Sequence, residues 1–352
     1  MNKLMSCLVL SVFVSGLAIG AWAPSMPTQA IAAAPAQAQL IVLKLSHSTP
    51  PVSPQHKGVF APWAEELEKR TNGRVKVRIF PSEQLGKAGE AYDLVLRRTV
   101  DISWVVPSFV IGQFPLDEIF HLPFLIPGGI DDPTSSLIRR TLYEKYLTPI
   151  NFKEVKVLWT GRTGANVIMS TKPVRTVEDA KGLIAGYPGG RILMRLLQTA
   201  GASPVQVSAP DMYTNLEKRV TDGQVIPLEA MVTFKLNEVV KYVTMLNAGG
   251  GSFLTVMNQK TWSSLPADIQ KIIDEMSPWA EEIQAKAWAG ARGYATSVAR
   301  KSNIELIELS PVERKRWVEI SRPIEEEWAK ETDAKGLPAS KMVREINQML
   351  AK

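Results

Sequence analysis

The sequence predicts an α/β fold, and two observations support this prediction. Segments of alternating apolar and polar residues, such as 75–80, are typical of strands with two unlike faces. Amphipathic segments with helical spacing, such as 54–70, lie between the strand-like segments. The resulting strand–helix–strand order predicts parallel strands joined by right-handed crossovers. The chain has 352 residues, which is long enough for two lobes.

A first α/β unit is predicted before residue 110. Its first helix carries Phe60, Trp63 and Leu67 on one side, which predicts a face that packs against a sheet. Asn72 and Gly73 supply the left-handed conformations that a helix end or tight turn requires. The predicted elements of this unit are strand 41–46, helix 54–70, strand 75–80, helix 88–97 and strand 100–106.

A second α/β unit is predicted over about residues 164–250, and helices follow it. The predicted elements from residue 132 onward are helix 132–146, strands 155–160, 166–171 and 183–187, helix 191–200, strand 204–207, helix 212–221, strand 224–226, a largely helical segment 227–242, strand 253–258, and helices 266–301, 311–330 and 339–350. The helix at 266–301 is very long, and its apolar residues recur at helical spacing from Ile269 to Ala287.

The N-terminus is typical of an export signal. Lys3 precedes an apolar run from Leu4 to Gly20, and small-residue cleavage sites follow it. We expect cleavage between Ala30 and Ala38, which makes residues 1–38 the signal and the remaining chain periplasmic. The alternative is a permanent membrane anchor, but an apolar run of about 17 residues is at the lower limit for a spanning helix.

Composition excludes several classes of function. The single cysteine lies in the signal, so the exported chain has neither disulfides nor thiolate chemistry. Without residues 1–38 the net charge is +5, and it is spread along the chain. The basic run 314–316 is flanked by Glu313 and Glu319, which indicates a solvated helix face rather than a nucleic-acid interface.

No enzyme signature is present in the sequence. The three histidines, at positions 47, 56 and 121, lack metal-ligand spacing. There is no G-x-S-x-G, no P-loop and no G-x-G-x-x-G that follows a strand, and no serine stands in the setting of an activated nucleophile. We therefore predict no cofactor, no metal and no catalytic activity.

Three segments resemble signature elements of one transport family. They are 71–86 (TNGRVKVRIFPSEQLG), 120–125 (FHLPFL) and 222–229 (DGQVIPLE). In order and separation they resemble the solute-binding subunits of tripartite ATP-independent periplasmic (TRAP) transporters, the DctP-like family. The resemblance covers about residues 40–345. It implies a two-lobed periplasmic binding protein with a long lobe-spanning helix.

The resemblance also implies domain boundaries and partners. Lobe I would comprise residues 39–163 and 252–291, and lobe II residues 164–251 and 292–320, with C-terminal helices at 321–352. Such a protein captures a small organic acid as a monomer and delivers it to the integral membrane subunits of the transporter. The alternatives are a neutral or aromatic solute, a periplasmic enzyme on the same scaffold, and a sensory partner that presents the solute to a receptor.

The resemblance fails at the position that matters most for an acid. Family members hold the ligand carboxylate with an arginine on a strand of the second lobe, because a guanidinium offers two parallel donors. In the equivalent run 179–188 (DAKGLIAGYP) that position is Gly186. A second arginine of the sialic-acid-binding members corresponds to Asn166, and an asparagine of the family corresponds to Ile226. The predicted site is therefore less charged and more apolar.

Other residues are candidates for ligand contacts. Arg191, at a helix start, could reach back across Gly186, and Arg162 follows a strand near the lobe crossover; each could instead face solvent. Tyr213 begins a helix near the cleft and could equally pack in the core. The remaining candidates are His47 at the end of the first strand, Trp104 as a stacking surface, and Asn166 as a neutral donor and acceptor. Glu229 is a further candidate: it either accepts from a ligand hydroxyl or amine or is a solvated helix residue.

Overall fold

The computed structural model describes residues 40–110, 112–127 and 132–351. The strands of these residues belong to one nine-stranded sheet. They are β1 (Ile41–Ser46), β2 (Val75–Phe80), β3 (Ile102–Val105), β4 (Val155–Ser170), β5 (Ile184–Tyr187), β6 (Ser203–Gln206), β7 (Gly223–Pro227), β8 (Tyr242–Asn258) and β9 (Glu305–Ile307). The strand order is β2-β1-β3-β8-β4-β7-β5-β6, and β9 pairs with β8.

The helices of the described residues cover the sheet and its ends. They are α1 (Ala61–Arg70), α2 (Ala91–Leu96), α3 (Pro133–Leu142), α4 (Thr148–Asn151), α5 (Arg191–Thr199), α6 (Met212–Glu217), α7 (Ala230–Thr233), α8 (Gln259–Ser264), α9 (Ala267–Lys301), α10 (Pro311–Asp333) and α11 (Ala339–Leu350). None of these helices is both long and apolar enough to cross a bilayer. The predicted export signal lies outside the described residues.

The sheet is mixed rather than wholly parallel. β1 lies parallel to β2 and β3, and β5 lies parallel to β6 and β7, as the strand–helix–strand order predicted. Between these two parallel groups, β8 runs antiparallel to β3 and β4, and β4 runs antiparallel to β7. The prediction of parallel strands is therefore correct within each unit, and the antiparallel centre of the sheet was not predicted.

The two central strands are much longer than the sequence indicated. The predicted strands 155–160 and 166–171 are parts of the single strand β4, and the predicted strand 253–258 is the second half of β8. The pairing of β4 with β8 shifts register several times between Arg162 and Ile168. Glycines at 161, 164 and 249–251 interrupt the strand pattern. The backbone pairing with the partner strand nevertheless continues through them.

The segment 227–242 was predicted to be largely helical, and that prediction is wrong. Only the four-residue α7 and a 3₁₀ turn, Leu236–Glu238, are helical there, and β8 begins at Tyr242. Lys235 adopts a positive φ of 56°, which ends the helical run. A left-handed residue is unfavourable inside an α-helix.

Helix α9 contributes to two separate hydrophobic clusters, as a helix that spans two lobes should. Its Ile273 and Met276 are buried in the cluster that contains Trp63 of α1. Ala295 and Ala299, further along, are buried in the cluster that contains Met212 of α6. The helical period places all four α9 residues where the helix meets the rest of the protein. The predicted helix 266–301 is thus confirmed almost to the residue.

The C-terminal helices pack into a third hydrophobic cluster. Trp317 and Trp328 of α10 are fully buried, and Met342 and Ile346 of α11 pack in the same cluster. The indole nitrogen of Trp328 donates to the carbonyl oxygen of Pro115 at 3.1 Å. The helices predicted at 311–330 and 339–350 are therefore confirmed. The short strand β9 was not predicted, because three residues carry too little pattern.

Candidate functional site

A cleft of about 460 Å³ lies at the carboxyl ends of the two parallel strand groups. On one side it is lined by the segments that follow β1, β2 and β3, and on the other by those that follow β5, β6 and β7. Residues of β4, β8 and α9 complete the lining. Loops converge at this edge of an α/β sheet, which is where such folds bind ligands. The volume suits a molecule of modest size.

Aromatic side chains form much of the wall of the cleft. Trp104 and Phe109 come from the β3 side, Phe234 from the segment after α7, and Trp288 from α9. Trp104 packs edge-on against Phe253, with ring centroids 5.3 Å apart. Its indole Nε1 has no hydrogen-bond partner among the described residues. These walls favour a solute with an aromatic or apolar body.

A buried amide network fixes the part of α9 that reaches the cleft. The Nε1 of Trp288 donates to Oε1 of Gln55 at 2.8 Å, and Nε2 of Gln55 donates to Oε1 of Gln284 at 3.3 Å. Gln284 also accepts from the indole of Trp159 and donates to the carbonyl of Thr160. The network ties α9 to β4 and to the segment after β1, so the orientation of Trp288 is set by buried hydrogen bonds.

His47 lies behind the cleft rather than in its wall. Its Nδ1 is 3.1 Å from Oγ1 of Thr49, its Nε2 is 2.9 Å from Nδ1 of His56, and Thr49 is 2.8 Å from Oγ of Ser53. Thr49 and Ser53 line the cleft. Burial, and then the neighbouring His56, lower the pKa of His47 to about 3. His47 is therefore neutral, and it orients two hydroxyls at the cleft.

Glu229 is buried and lines the cleft, so it is not a solvated helix residue; its side chain is 1% exposed. Its Oε1 accepts from the backbone N–H of Gly164 at 2.7 Å. Its Oε2 lies 3.8 Å from Nη1 of Arg292 and has no hydrogen-bond partner among the described residues. Burial raises the pKa of Glu229, against the hydrogen bond from Gly164 and the charge of Arg292.

A buried acid, Asp117, begins the 3₁₀ segment that ends at His121. Asp117 accepts from Oγ of Ser252 at 2.6 and 2.7 Å and from the hydroxyl of Tyr143 at 2.8 Å. Burial raises the pKa of Asp117 to about 7, although both hydrogen bonds oppose the rise. His121 lines the cleft next to Gly251, and burial lowers its pKa to about 4. His121 was not among the predicted site residues, but its ring is part of the wall.

Of the three positions that the family resemblance singled out, two line the cleft and one does not. Asn166 on β4 and Ile226 on β7 are 6% exposed and contribute to the wall. Gly186 on β5 is buried outside the cleft lining, because the side chain of Gln224 on β7 covers it. A Cβ atom at Gly186 would lie 2.1 Å from Oε1 of Gln224.

Arg191 does not reach across Gly186 toward the cleft. Its Nη2 donates to Glu118 at 2.7 Å, and its Nη1 pairs with Glu331 of α10. Glu118, with Glu331, raises the pKa of Arg191. The carboxylates of Glu118 and Glu331 hold the guanidinium of Arg191, at the start of α5, away from the strand ends. Arg191 therefore joins α10 to the segment that precedes His121.

Arg162 and Tyr213 also lie outside the cleft lining. Arg162 lines a smaller pocket, of about 160 Å³, between α3, β4 and α9. Burial, and then the charge of Arg139, lower the pKa of Arg162 to about 10. Tyr213 packs against the hydrophobic cluster that contains Met212, and its hydroxyl donates to Glu217 at 3.3 Å. Neither side chain meets a solute in the cleft as it stands.

Several lining residues were not predicted. Sequence reasoning missed five of them as residues of the site: Ser53, Gln55, Phe109, Phe234 and Trp288. Trp288 sits in a helical pattern in which every apolar residue looks like core, so no local signal marks it. Among the described residues, no group of three or more His, Cys, Asp or Glu side chains is placed to hold a metal ion.

The charges around the cleft are few and mostly acidic. Among the described lining residues, Lys87 is the only lysine or arginine, and its Nζ is 3.2 Å from Glu83. Glu83, Asp211 and Glu229 are the acids of the lining. No arginine of the described chain is thus placed to bind a carboxylate in the cleft.

Comparison with known proteins agrees with this geometry. The family model described as "Bacterial extracellular solute-binding protein, family 7" (DctP) matches residues 45–332. The C4-dicarboxylate-binding periplasmic protein DctP of Rhodobacter capsulatus is 27% identical over 343 residues, which cover 93% of this chain and 97% of that protein. The DctP protein of Shewanella loihica is 28% identical over 304 residues, or 84% and 86% of the two chains.

Solved structures share the fold. A marine metagenome TRAP solute-binding protein specific for aromatic acid ligands, in complex with 3-hydroxybenzoate, has a TM-score of 0.82 and 27% identity, and the match covers 89% of this chain and 98% of that one. A TRAP periplasmic solute-binding protein of Bordetella bronchiseptica with bound mandelate has a TM-score of 0.79 and 27% identity, with 88% and 99% coverage.

The fold class predicted from the sequence, a two-lobed α/β binding protein with a long helix that enters both halves, is therefore confirmed. The family model covers most of the chain, from the end of β1 to the end of α10. The chain belongs to family 7 of the bacterial extracellular solute-binding proteins, the DctP-like binding subunits of TRAP transporters.

Proposed function

We propose that this protein captures a small organic acid in the cleft and delivers it to the integral membrane subunits of a TRAP transporter. The names of its relatives support an acid, because they include C4-dicarboxylate-binding proteins and structures with 3-hydroxybenzoate and mandelate. The observation that carries the proposal is the cleft itself, an aromatic-walled space at the ends of six strands. These walls favour an aromatic or apolar body over a C4-dicarboxylate.

The carboxylate would be bound by neutral groups rather than by an arginine. Asn166, Thr49 and Ser53 line the cleft, and Lys87 stands among the residues that follow β2. Asn166 can donate a hydrogen bond, and so can one of the two hydroxyls, because the bond between Thr49 and Ser53 uses the hydrogen of the other. A hydrogen bond to a charged group contributes about 1.5–3 kcal/mol, so several neutral donors can replace a bidentate guanidinium in part. We propose Trp104, Asn166, Ile226 and Glu229 as solute contacts.

The other predicted residues have supporting roles in this proposal. His47 orients Thr49 through its Nδ1. Gly186 leaves room for the amide of Gln224. Arg191 joins segments of the fold through its ion pairs, and Arg162 and Tyr213 lie away from the cleft lining.

A neutral solute is the second candidate. The observation that favours it is the lack of arginine among the described lining residues, where other family members hold a carboxylate. A neutral aromatic or apolar molecule would fill the same walls and would need no charged partner.

We also propose the cellular setting and the lobe boundaries. The chain would be exported, cleaved between Ala30 and Ala38, and act as a monomer in the periplasm without turnover of the solute. Lobe I would comprise 39–163 and 252–291, and lobe II 164–251 and 292–320, with residues 321–352 packed on both. The register shifts of β4 between Arg162 and Ile168 support a hinge at this boundary.

Thermal-shift screening tests the proposed function. Purified protein without residues 1–38 would be screened against aromatic monocarboxylates, aliphatic mono- and dicarboxylates, neutral aromatic amides and polyols. A ligand at 100 times its Kd adds about 2.7 kcal/mol of stability, which is a shift of several degrees. We expect the largest shifts from aromatic acids. Stabilisation by neutral compounds alone would reject the acid and leave the second candidate.

A further inference from the structure

We propose that the bound acid also carries a hydrogen-bond donor, a hydroxyl or an ammonium group, and that Glu229 binds this donor. The proposal rests on the proposed function, because it concerns the same cleft and names the class of acid. The solute would then be a hydroxy- or amino-substituted monocarboxylic acid with an aromatic or apolar body, rather than a plain acid or a dicarboxylate.

The first step is the incomplete hydrogen bonding of Glu229. One carboxylate oxygen, Oε1, is used by the N–H of Gly164 at 2.7 Å. The other, Oε2, is buried at the edge of the cleft and accepts no hydrogen bond within the described chain. A buried carboxylate with an unused oxygen is costly, so buried polar groups normally have a partner. A donor on the solute would complete the set.

The second step concerns Arg292, the one lysine or arginine of the described residues that lies within 4 Å of the Glu229 carboxylate. Its Nη1 is 3.8 Å from Oε2, beyond hydrogen-bond distance, and is itself without a partner in the described part of the chain. Its Nη2 donates to Oδ1 of Asn247 on β8 at 3.0 Å, which anchors the guanidinium. The charge of Arg292 therefore opposes the rise in the pKa of Glu229 that burial causes, while Oε2 keeps an unused acceptor.

The third step is the balance of donors and acceptors in the wall. Trp104 Nε1, a donor, is buried and unpaired in the described structure, as is Nε2 of His121. A carboxylate can accept from the indole N–H, while Glu229 can accept from a hydroxyl or an ammonium. A second carboxylate on the solute would instead meet the lining acids Glu229 and Asp211. Like charges at close range exclude it.

Matched pairs of acids that differ only in the donor test the proposal. The pairs are 3-hydroxybenzoate with benzoate, 3-aminobenzoate with benzoate, and mandelate with phenylacetate, and Kd would be measured by titration calorimetry at pH 7. For at least one pair we expect the donor-bearing acid to bind about tenfold more tightly or better, since a hydrogen bond to a charged group is at stake.

Two variants separate recognition from stability. Glu229→Gln keeps the shape and can still accept from Gly164, but it presents an amide where the carboxylate was. We expect it to reduce the affinity ratio of the pair to about threefold or less, with little change for the acid that lacks the donor. Glu308→Gln, an exposed residue outside the cleft lining, is the matched control and should leave the ratio unchanged.

The outcomes distinguish this inference from the function on which it rests. If plain acids bind as tightly as their donor-bearing partners in every pair, the inference is wrong and the acid-binding function stands. A ratio that persists in Glu229→Gln assigns the donor to another residue and also rejects the inference. If no acid of any pair binds, the proposed function fails and the inference fails with it. If Glu229→Gln does not fold, the wild-type ratios still test the inference, because equal affinities within every pair reject it.

Discussion

The side-chain amide of Gln224 occupies the space in front of Gly186. A Cβ at residue 186 would lie 2.1 Å from Oε1 and 2.6 Å from Nε2 of Gln224, and that Nε2 donates to Oγ1 of Thr221 at 2.8 Å. Gln224 is fully buried. The position that the resemblance equates with the family arginine is therefore closed here by a side chain of a neighbouring strand, and packing favours glycine there.

This contact predicts that Gly186→Ala is destabilising. The added methyl group must displace the amide of Gln224 and break its bond to Thr221, so we expect the free energy of unfolding to fall by about 1–3 kcal/mol in urea titrations. In the double variant with Gln224→Ala the added cost of the methyl group should largely vanish, since its obstacle is gone.

The control for this experiment is another glycine, Gly290. It is exposed in the middle of α9, and a Cβ there would meet nothing within 4 Å. Gly290→Ala should raise the free energy of unfolding by about 0.5–1 kcal/mol, because alanine favours a helix. Equal effects at positions 186 and 290 would contradict the role assigned to Gln224.

Trp104 is predicted to contribute binding energy through its aromatic ring. Trp104→Leu should weaken the binding of 3-hydroxybenzoate by about tenfold, because stacking and buried aromatic area are lost. Trp262→Leu is the control, since Trp262 is half-buried on α8 and outside the cleft lining. Calorimetry should show a changed Kd only for the first variant. An unchanged Kd in Trp104→Leu would remove this residue from the site.

Arg191 is predicted to stabilise the fold without contributing to solute affinity. Its side chain is 21% exposed and bridges Glu118 and Glu331, so Arg191→Met should lower the free energy of unfolding by about 1–2 kcal/mol. The Kd for 3-hydroxybenzoate should change by no more than about twofold. A large loss of affinity with unchanged stability would instead return Arg191 to the set of solute contacts.

Asp117 predicts a specific pH dependence of stability. Its pKa is raised from 3.8 to about 7 by burial, so between these values the folded protein binds a proton that the unfolded chain has released. Stability contributed by this group is therefore present at low pH and is lost as the pH rises toward 7. Relative to Asp117→Asn, the wild type should lose about 2 kcal/mol of unfolding free energy between pH 5 and pH 8.

Urea titrations of both proteins at several pH values measure this difference. Contributions from all other titrating groups cancel in the comparison, provided that they are unperturbed by the substitution. A difference between wild type and Asp117→Asn that stays constant with pH would show that the hydrogen bonds from Ser252 and Tyr143 hold the carboxylate ionised throughout.

Elements with regular local patterns were predictable from the sequence. The strand β1 was predicted to the residue, and α9 nearly so, because their alternation or helical spacing is uninterrupted. The long strands β4 and β8 were only partly predicted. Their glycine-rich middles look like loops, and only the pairing of one strand with the other keeps them extended.

The site was less predictable than the fold. Asn166 and Ile226 could be placed because they correspond to site positions of the family that the sequence resembles, whereas the two candidate arginines could not. Whether Arg191 points into the cleft depends on Glu118 and Glu331, which are 73 and 140 residues away along the chain. Long side chains take the direction of their partners, which spacing alone does not reveal.

The amino-acid sequence by itself determined the family and the alternation of strands and helices. These follow from local composition and from segments such as 71–86. Only the tertiary structure decided that the side chain of Gln224 fills the space beside Gly186 and that Glu229 lies buried beside Arg292. The physical reason is that burial and pairing depend on residues far apart in the chain, which meet only when β4, β7 and α9 pack together.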